Sequence, residues 1–470
     1  MSECCKDYDL AIVGGGSAAF AAAIRAADLG FRAAIIEAGT LGGTCVNVGC
    51  VPSKTLIRAA EVVHRAKSHP FAGIDIEVAP PRFAEVMRQK DELVRELRKA
   101  KYQDVLSAYP SVDLLEGRAT LRDDGVLEVG GQPFRAGKIL LAMGASAWIP
   151  PIPGIERVGA LTSTRALALT ELPESLIVLG GSAVGLELAQ FFSRMGTRVT
   201  VLEALPRIMP AEDQEIGDDL ARYLRGEGLD VRAGATVDSV SRTGARVQVV
   251  ARFGVARETF EAEHLLVATG RRPNTAGMGL EKAGIELGPK GEIRVDGHLE
   301  TTRRGVFAAG DVIGDPMFVY VAAQAGQLAA DNALGDEPRT FDVSVVPRVT
   351  FTDPGVASVG VTERQAIALG IDTITSKLPL THVPRAIAAR DTRGFIKLIA
   401  DAKTKLLVGA HILAPEAGEI IQQAVMAIGF GIRVDQIAST LHPYLTLAEG
   451  IKLAAQTFEK DVAKLSCCAA

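Results

Sequence analysis

Apolar runs that end at glycine-rich turns mark the start of the chain. The first run, YDLAIVG at residues 8–14, predicts a buried β-strand. An alanine-rich stretch then continues to about Leu29 and is followed by Gly30, which predicts a helix and its end. The next run, RAAIIE, predicts a second strand that ends at Glu37. The order of strand, helix and strand predicts a βαβ unit.

The same pattern occurs again near the middle of the chain. LIVLG at residues 176–180 predicts a strand, a turn and a helix follow, and RVTVLE predicts a second strand that ends at Glu203. The first turn glycine and the acidic residue are 23 positions apart in both copies, from 14 to 37 and from 180 to 203. Two copies with equal spacing are a far more specific signal than a single glycine-rich turn.

Each turn has small residues where a dinucleotide-binding loop requires them. They are Gly14, Gly16 and Ala19 in the first copy and Gly180, Ser182 and Gly185 in the second. Such residues permit a tight turn, let the backbone approach a pyrophosphate at the helix N-terminus, and let helix and strand pack closely. Glu37 and Glu203 are expected to bind the ribose hydroxyls of two adenosines. Ser182 replaces the second glycine, so the approach in the second copy is bulkier.

Three later segments complete the two predicted sites. LLAMGA at 140–145 and LVATGRRPN at 267–275 each predict a strand that enters a glycine turn, at Gly144 and Gly270. The strand VFAAGDV ends at Asp311, whose carboxylate is placed to accept hydrogen bonds from a polyol such as ribityl. Two adenosine sites and a polyol carboxylate predict FAD together with a nicotinamide cofactor.

Composition and charge exclude several classes of function. The 470 residues are 48% hydrophobic and carry a net charge of −5 without a basic run, which argues against a nucleic-acid partner. No apolar run approaches the ~18 residues of a membrane span. The N-terminal MSECCKDYDL lacks the apolar region of a signal peptide. We therefore expect a cytoplasmic protein, in which a reactive pair of cysteines serves redox or metal chemistry.

The six cysteines occur as three pairs, which are Cys4–Cys5, Cys45–Cys50 and Cys467–Cys468. The middle pair lies in GGTCVNVGCVPSK, where a predicted helix containing Lys54 follows. A helix N-terminus and a lysine are expected to depress the pKa of these thiols and favour the thiolate. A structural zinc ion would need four ligands, and no second pair or histidine cluster is nearby. An inert structural disulfide is a further alternative.

On these motifs, the chain from residue 8 onward resembles the flavin-dependent pyridine nucleotide–disulfide oxidoreductases. The resemblance implies that Cys50 lies against the flavin, that Cys45 is the exposed interchange thiol, and that Lys54 pairs with Glu187 near the flavin. The positions it implies for FAD contacts are Ala19, Gly39, Thr44, Lys54, Ala119, Asp311 and Val319.

The resemblance also implies a fold of the α/β class, like that of glutathione reductase. Two Rossmann-like dinucleotide-binding domains are expected, with an α+β dimerisation domain at the C-terminus. The expected boundaries are 1–148 for the first part of the FAD domain, 149–270 for the NAD(P) domain, 271–342 for a central domain completing the FAD site, and 343–470 for the dimerisation domain. Outside the motifs, residues 82–108 predict a long charged helix and residues 415–431 predict a helix with apolar residues at helical spacing. The enzyme is expected to be a homodimer whose active sites use residues of both subunits.

The C-terminal segment LHPYLTLAEG, at 441–450, favours one branch of this family. Members that reduce lipoamide or glutathione carry a His-Pro-Thr-x-x-Glu stretch whose histidine is the base for the dithiol. Alignment on the TLAE segment places Tyr444 at the base position, and a phenol with a pKa near ~10 is a poor base at pH 7. Alignment on His442 instead leaves Glu449 out of register by two residues.

The tail KLSCCAA and the segment FVYVAA resemble the mercuric reductases of the family. Cys467 and Cys468 are then expected to take Hg(II) from small thiols and to pass it across the dimer to Cys45 and Cys50. Tyr320 and Tyr444 are candidates for orienting the metal ligands. The resemblance is to the catalytic core, without the N-terminal metal-binding domain of many relatives. We hypothesise that Cys4 and Cys5 form a minimal auxiliary site for Hg(II) or for thiol exchange.

Alternatives remain for the activity and for the nucleotide. A lipoamide dehydrogenase or another organic disulfide reductase is supported by the redox motif and opposed by Tyr444 and the tail. A non-catalytic binder of soft metal ions would need no FAD. Glu203 favours NADH because an acidic residue there repels a 2′-phosphate, whereas family habit favours NADPH and Arg207 lies close enough in sequence to meet a phosphate.

Overall fold

In a computed structural model of the chain, residues 8–462 are described. They form two compact units. The first unit comprises the described residues up to Thr55, together with Met87–Trp148 and Gly270–Val343. The second comprises Leu56–Val86, Ile149–Thr269 and the described residues from Ser344 onward. Among the residues described, no helix is both long enough and apolar enough to cross a membrane.

The strands are numbered in chain order. They are β1 Tyr8–Val13, β2 Ala33–Glu37, β3 Val112–Glu116, β4 Ala119–Leu121, β5 Leu127–Val129, β6 Gln132–Phe134, β7 Ala136–Leu141, β8 Ala145–Ala147, β9 Ser175–Leu179, β10 Arg198–Glu203, β11 Asp230–Ala233, β12 Thr236–Thr243, β13 Arg246–Phe253, β14 Ala256–Ala262, β15 His264–Val267, β16 Arg271–Pro273, β17 Val306–Ala308, β18 Arg348–Thr350, β19 Gly355–Gly360, β20 Thr373–Pro379, β21 Phe395–Asp401 and β22 Leu407–Ala414.

The α-helices are numbered in the same way. They are α1 Ser17–Asp28, α2 Gly43–Val48, α3 Cys50–Lys67, α4 Phe83–Arg98, α5 Asp104–Ser107, α6 Ser163–Ala166, α7 Ala183–Met195, α8 Gln214–Gly226, α9 Val319–Leu334, α10 Glu363–Ala368, α11 Pro384–Ala388, α12 Ala417–Ile420, α13 Gln422–Gly429, α14 Val434–Ser439 and α15 Glu449–Gln456. Between α4 and α5, residues Lys99–Gln103 form a π-helical turn.

A parallel five-stranded sheet, in the order β17-β7-β1-β2-β3, organises the first unit. Its central strand β1 is apolar and almost fully buried, as expected for a parallel sheet covered on both faces. The helices α1 and α9 pack closely on each other, because a Cβ at Gly326 of α9 would lie 2.0 Å from the Ala18 carbonyl oxygen of α1. Because α1 begins at Ser17, directly after the turn that follows Val13, its N-terminus lies at the carboxyl end of β1.

The second unit repeats this construction and adds an antiparallel sheet. Its parallel strands lie in the order β11-β10-β9-β15, with α7 after β9 in the place that α1 has after β1. Five antiparallel strands, in the order β18-β19-β22-β21-β20, form the part nearest the C-terminus. The core under that sheet includes helix residues such as Ile420, Ala424 and Ile451.

The structure confirms the α/β class and the elements predicted around both glycine turns. The strand that ends at Glu203 has the predicted bounds, and the others differ by a few residues at their ends. The charged segment 82–108 is helical from residue 83 to residue 107, with the π-helical turn inside it. The helix predicted over 415–431 is present as α12 and α13, interrupted at Ile421. The division into four domains stays a prediction.

Candidate active site

The first glycine turn joins β1 to α1. Gly14 has a φ of +111°, and a Cβ there would lie 2.4 Å from the Ala142 carbonyl oxygen, so the position requires glycine. Gly16 is the N-cap of α1 and offers no side-chain acceptor to the first N–H groups of the helix, which therefore suit a phosphate. Ala19 is fully buried in α1. This loop fits the pyrophosphate of a dinucleotide.

Glu37, at the end of β2, lies at the edge of a cavity in the same unit. Its carboxylate accepts a hydrogen bond from the N–H of Gly39 at 2.6 Å. The cavity has a volume of about 760 Å³ and is also lined by Arg95, Arg98 and Lys99. A cavity of this size holds the adenosine part of a dinucleotide, and the Glu37 carboxylate suits a ribose.

The two cysteines of the redox motif lie on two consecutive helices, α2 and α3. Cys45 is in the first turn of α2 and is partly buried, whereas Cys50 is the first residue of α3 and is exposed. Gly49 separates the helices, and a Cβ there would lie 2.9 Å from the Thr44 carbonyl oxygen. This close turn brings the two thiols into hydrogen-bonding contact.

The expected depression of the thiol pKa is wrong for Cys45. Its pKa is raised, first by the hydrogen bond with Cys50, then by burial and by the charge of the Cys50 thiolate. Lys54 acts in the expected direction and lowers the pKa, but it is outweighed. Ionisation of one thiol therefore opposes ionisation of the other.

Arg271 lies between the predicted polyol carboxylate of Asp311 and α2, which we call the redox helix because it carries Cys45. Its guanidinium lies 3.4 Å from the Thr44 hydroxyl and 3.9 Å from the Asp311 carboxylate. Burial raises the pKa of Asp311, while the charge of Arg271 opposes that shift. Sequence analysis missed Arg271, although the motif GRRPN that contains it was recognised. A buried carboxylate beside a guanidinium fits the polar chain of FAD.

The other predicted FAD contacts lie in the first unit as well. Ala119 is buried in β4, and Gly144 has a φ of +68° at the turn after β7. Val319 is the first residue of α9. Tyr320 follows it, is 44% exposed, and stacks on Phe318 with ring centroids 5.4 Å apart. Together with Gly16, Glu37 and Asp311, these positions fit FAD.

The second glycine turn, in the other unit, has the same geometry as the first. Gly180 has a φ of +112°, and a Cβ there would lie 2.4 Å from the Ala268 carbonyl oxygen. Ser182 is the N-cap of α7 but its side chain forms no cap hydrogen bond. A Cβ at Gly185 would lie 2.0 Å from the Gly180 carbonyl oxygen, so α7 packs directly on the turn. The repeat found in the sequence is thus a repeat in three dimensions.

Glu203 at the end of β10 is buried, and each of its carboxylate oxygens accepts a backbone N–H. Gly181 donates at 2.7 Å and Leu205 at 2.8 Å. The Nε atom of Arg207 is buried and has no hydrogen-bond partner among the described residues. Gly270, which has a φ of +119°, falls in the first unit. The second turn with Glu203 and Arg207 fits the adenosine end of a pyridine nucleotide.

Glu187, Tyr444 and His442, which the sequence also singled out, lie in the second unit. The Glu187 carboxylate, in α7, accepts the N–H of Phe351 at 2.9 Å, and its pairing with Lys54 stays a prediction. Tyr444 is 53% exposed. The ring nitrogens of His442 contact the Thr440 carbonyl oxygen at 3.0 Å and the Gln423 side-chain oxygen at 2.9 Å. His442 is therefore held in place by its neighbours.

The expected metal ligands are only partly within the described residues. Cys467 and Cys468, like Cys4 and Cys5, lie outside residues 8–462. Within that range, no group of three or more His, Cys, Asp or Glu side chains is arranged to hold a metal ion. The described part of the predicted metal site is the two thiols of Cys45 and Cys50.

Comparison with known proteins defines the class. Residues 8–326 match the profile described as pyridine nucleotide-disulphide oxidoreductase, and residues 346–455 match the dimerisation domain of that family. The chain belongs to the pyridine nucleotide–disulphide oxidoreductase family. Membership implies FAD and a pyridine nucleotide as cofactors, in agreement with the two glycine turns.

Curated relatives narrow the likeness within this family. The chain is 47% identical over 475 residues to a mercuric reductase of Streptomyces lividans, with 100% of both chains covered. It is 45% identical over 463 residues to a mercuric reductase of Lysinibacillus sphaericus, covering 98% of this chain and 85% of that protein. The resemblance predicted from the sequence is confirmed.

Solved structures share the fold over almost the whole chain. A Cu(II) complex of the HOCl-induced flavoprotein disulfide reductase RclA from Escherichia coli matches with a TM-score of 0.86 and 33% identity, covering 97% of this chain and 100% of that one. LpdA from Mycobacterium tuberculosis matches with a TM-score of 0.85 and 30% identity, covering 96% and 99%.

Proposed function

We propose that this protein reduces Hg(II) to Hg(0) with electrons from NAD(P)H. The observation that carries the proposal is the Cys45–Cys50 pair, two thiols in hydrogen-bonding contact on two consecutive helices. Soft metal ions prefer thiolate ligands, and two neighbouring cysteines offer two such ligands to one ion. The curated relatives that are 42–47% identical to the chain are mercuric reductases, which supports Hg(II) as the metal.

The thiols act by exchange. Hg(II) arrives bound to two small thiolates, and Cys45 and Cys50 replace them, so each small thiol leaves with the proton of the cysteine that displaced it. The Lys54 charge favours the thiolate form and so assists this exchange.

The electron balance needs no further reagent. One NAD(P)H gives a hydride and becomes NAD(P)⁺, and Hg(II) takes up the two electrons to become Hg(0). Bound FAD supplies the two-electron carrier between the nicotinamide and the metal. The thiolates of Cys45 and Cys50 hold the ion while it is reduced and are free again when Hg(0) leaves.

The proposal also includes the path by which Hg(II) reaches Cys45 and Cys50. Cys467 and Cys468 collect Hg(II) and deliver it to Cys45 and Cys50 across a homodimer, which the dimerisation-domain match over residues 346–455 supports. Tyr320 and Tyr444 orient the metal during this transfer. Both rings are largely exposed, at 44% and 53%, as residues that contact an arriving substrate require.

Reduction of an organic disulfide is the second candidate. The redox pair and the likeness to the flavoprotein disulfide reductase RclA favour it. That activity needs a base for the dithiol, and the alternative alignment would make His442 this base. Both ring nitrogens of His442 contact neighbouring oxygens, so neither is open to a substrate thiol. The contacts of His442 therefore favour Hg(II) over a disulfide as substrate.

We propose that NADH is accepted as the hydride donor. The Glu203 carboxylate ends β10 and is fixed by two backbone N–H groups, so its charge is held beside the expected ribose. A fixed negative charge attracts a ribose hydroxyl and repels a 2′-phosphate. NADPH remains the alternative donor, with the partly buried side chain of Arg207, whose Nε atom has no hydrogen-bond partner among the described residues, as its candidate contact.

A substrate panel tests the proposal. The purified holoenzyme receives NADH or NADPH anaerobically together with Hg(II) in excess small thiol, with lipoamide, or with glutathione disulfide. We expect nicotinamide oxidation with Hg(II) and little with either disulfide. Rapid turnover of lipoamide without turnover of Hg(II) would overturn the proposal and return His442 to the role of base.

A further inference from the structure

Tyr102 lies where the first dinucleotide loop meets the helix that carries Cys45. It belongs to the π-helical turn Lys99–Gln103, and it is the one residue of that turn that is not exposed. A single π-helical turn inside a longer helix often marks a functional position, because the extra residue changes which side chain faces inward. Here the side chain that faces inward is a tyrosine.

The dinucleotide loop and the start of α2 are also in direct contact with each other, independently of Tyr102. The N–H of Gly42 donates a hydrogen bond to the Gly15 carbonyl oxygen at 2.8 Å. A Cβ at Gly43 would lie 2.6 Å from the Cα of Gly16, so the start of α2 packs directly against the dinucleotide loop. Any movement of this loop is therefore transmitted to the helix that carries Cys45.

The Tyr102 side chain lies beside the contact between the dinucleotide loop and α2. Its ring packs edge-to-face on Phe20 of α1, with centroids 4.6 Å apart and an angle of 79° between the ring planes. A Cβ on Gly42, the N-cap of α2, would lie 3.3 Å from a ring carbon of Tyr102. One aromatic ring thus contacts both the helix of the dinucleotide loop and the start of the redox helix.

The Tyr102 hydroxyl lies at the same junction and forms a hydrogen bond with Ser17. Burial raises its pKa, a hydrogen bond with Ser17 at the start of α1 opposes that rise, and the charges of Cys45 and Cys50 add to it. The hydroxyl therefore lies close enough to both thiols to sense their charge.

We propose that Tyr102 is a positioning residue that holds the dinucleotide loop and the redox helix together, so that retention of FAD and the reactivity of Cys45 depend on one another. The inference rests on the redox role proposed above for Cys45. It concerns thiol reactivity and flavin retention, which are measured without Hg(II), so its failure and that of the proposed function are distinguishable.

The test compares Tyr102→Leu with Tyr109→Leu in the purified holoenzyme. Tyr109 is a matched control because its ring packs against the same core as Tyr102, whereas of these two tyrosines Tyr102 supplies one of the three atoms nearest to a Cβ on Gly42. Two rates are measured in the reduced protein: alkylation of Cys45 by iodoacetamide, located by peptide mass, and FAD release, followed by flavin fluorescence. Thermal unfolding is recorded for each variant.

For Tyr102→Leu we expect both rates to rise about tenfold, the change that a loss of about 1.4 kcal/mol produces. Tyr109→Leu should lower the unfolding temperature and leave both rates within about twofold of the unmodified protein. Tyr102→Phe keeps the ring and should behave like the unmodified protein in both rates. Tyr102→Met replaces Tyr102→Leu if the latter does not fold.

Equal changes in the Tyr102→Leu and Tyr109→Leu variants would overturn the proposal, because Tyr102 would then be an ordinary core residue. A rise in FAD release with no change at Cys45 would also overturn it, since the two properties would be independent. So would a Tyr102→Phe variant as reactive as Tyr102→Leu, because the ring contacts would not be responsible.

Discussion

The chemistry proposed for this protein depends on two thiols in hydrogen-bonding contact. Cys45 has a raised pKa, first because Cys50 is hydrogen-bonded to it, and a metal ion bound by both sulfur atoms would remove the repulsion between the two thiolates. The motif that contains the pair was recognisable in the sequence. The direction of the pKa shift was not, because it depends on the distance between the thiols and on burial, and neither follows from spacing alone.

Cys45→Ser and Cys50→Ser each remove one of the two thiolates. We expect the rate of Hg(II)-dependent NAD(P)H oxidation to fall at least about 100-fold in either variant, since serine is a poor ligand for a soft metal ion. Reduction of the flavin by NADH in the absence of Hg(II), followed at the flavin absorbance band, should persist. Loss of flavin reduction as well would place the defect at the cofactor rather than at the thiols.

Glu203 and Glu37 occupy equivalent positions in the two dinucleotide units, so each is a control for the other. Glu203→Ala removes the fixed charge beside the second ribose and should shift the ratio of kcat/KM for NADPH and NADH about tenfold toward NADPH, about 1.4 kcal/mol. Glu37→Ala should speed FAD release and leave that ratio unchanged. An unchanged ratio in Glu203→Ala would remove Glu203 from the nucleotide site.

At the scale of elements, the two glycine turns were predictable because the constraint on them is local. Gly14 and Gly180 have φ values of +111° and +112°. A Cβ added to either residue would lie 2.4 Å from a carbonyl oxygen. The strands around them are long and apolar. Short strands such as β8 and β16, which pair across 124 residues from Ala147 to Arg271, have no such signal in the sequence. The π-helical turn before α5 also follows from tertiary packing and was not predictable.

Gly43→Ala tests the contact between the dinucleotide loop and the redox helix. Gly43 has a φ of +64°, and the added Cβ would lie 2.6 Å from a backbone atom of Gly16, so one of the two loops must move. Gly130→Ala is the matched control, since Gly130 has a φ of +58° and nothing within 4 Å of a Cβ. In both variants the alanine must adopt a left-handed backbone conformation, which lowers the free energy of unfolding by about 1 kcal/mol. Only Gly43→Ala should also speed FAD release, and equal release from both variants would refute the contact.

At the scale of the whole molecule, a buried lysine stabilises the second unit. Lys397 is 3% exposed, and its ammonium contacts Asp213 at 3.1 Å, Glu215 at 2.9 Å and Glu363 at 2.6 Å. These residues come from β21, from the start of α8 and from α10, so one charge network joins elements that are far apart in sequence. Its members were unremarkable in the sequence, because only the fold brings them together.

Lys397→Met should lower the free energy of unfolding by about 3 kcal/mol at pH 7, because it leaves buried Asp213 without its partner. Lys377→Met is the control: Lys377 pairs with the same Glu215, but its side chain is 38% exposed, so the cost should be below about 1 kcal/mol. Both values come from unfolding monitored by circular dichroism. Equal losses in the two variants would contradict a special role for the buried lysine.

The same network gives a pH dependence with a definite sign. Burial alone would raise the pKa of Glu215 and Glu363, but the contacts of each carboxylate together outweigh it: Lys377 and Lys397 lower the pKa of Glu215, and Lys397 and Thr375 lower that of Glu363. A lowered pKa contributes stability above the unfolded value, about 4.3 for glutamate, and that stability is lost as the pH falls through the folded value. The difference in unfolding free energy between Lys397→Met and the unmodified protein should therefore narrow below about pH 4. A difference that stays constant from pH 7 to that range would contradict the network.

The measurement that tests the central claim most directly is the yield of mercury vapour per nicotinamide oxidised. The holoenzyme, NADH and Hg(II) in excess small thiol are mixed anaerobically, and Hg(0) swept from the solution is measured against the loss of nicotinamide absorbance. We expect equal molar amounts of Hg(0) released and NADH oxidised, with both rates at least about 100-fold lower in the Cys45→Ser variant. Oxidation of NADH without Hg(0), or Hg(0) release that survives the loss of Cys45, would contradict the claim.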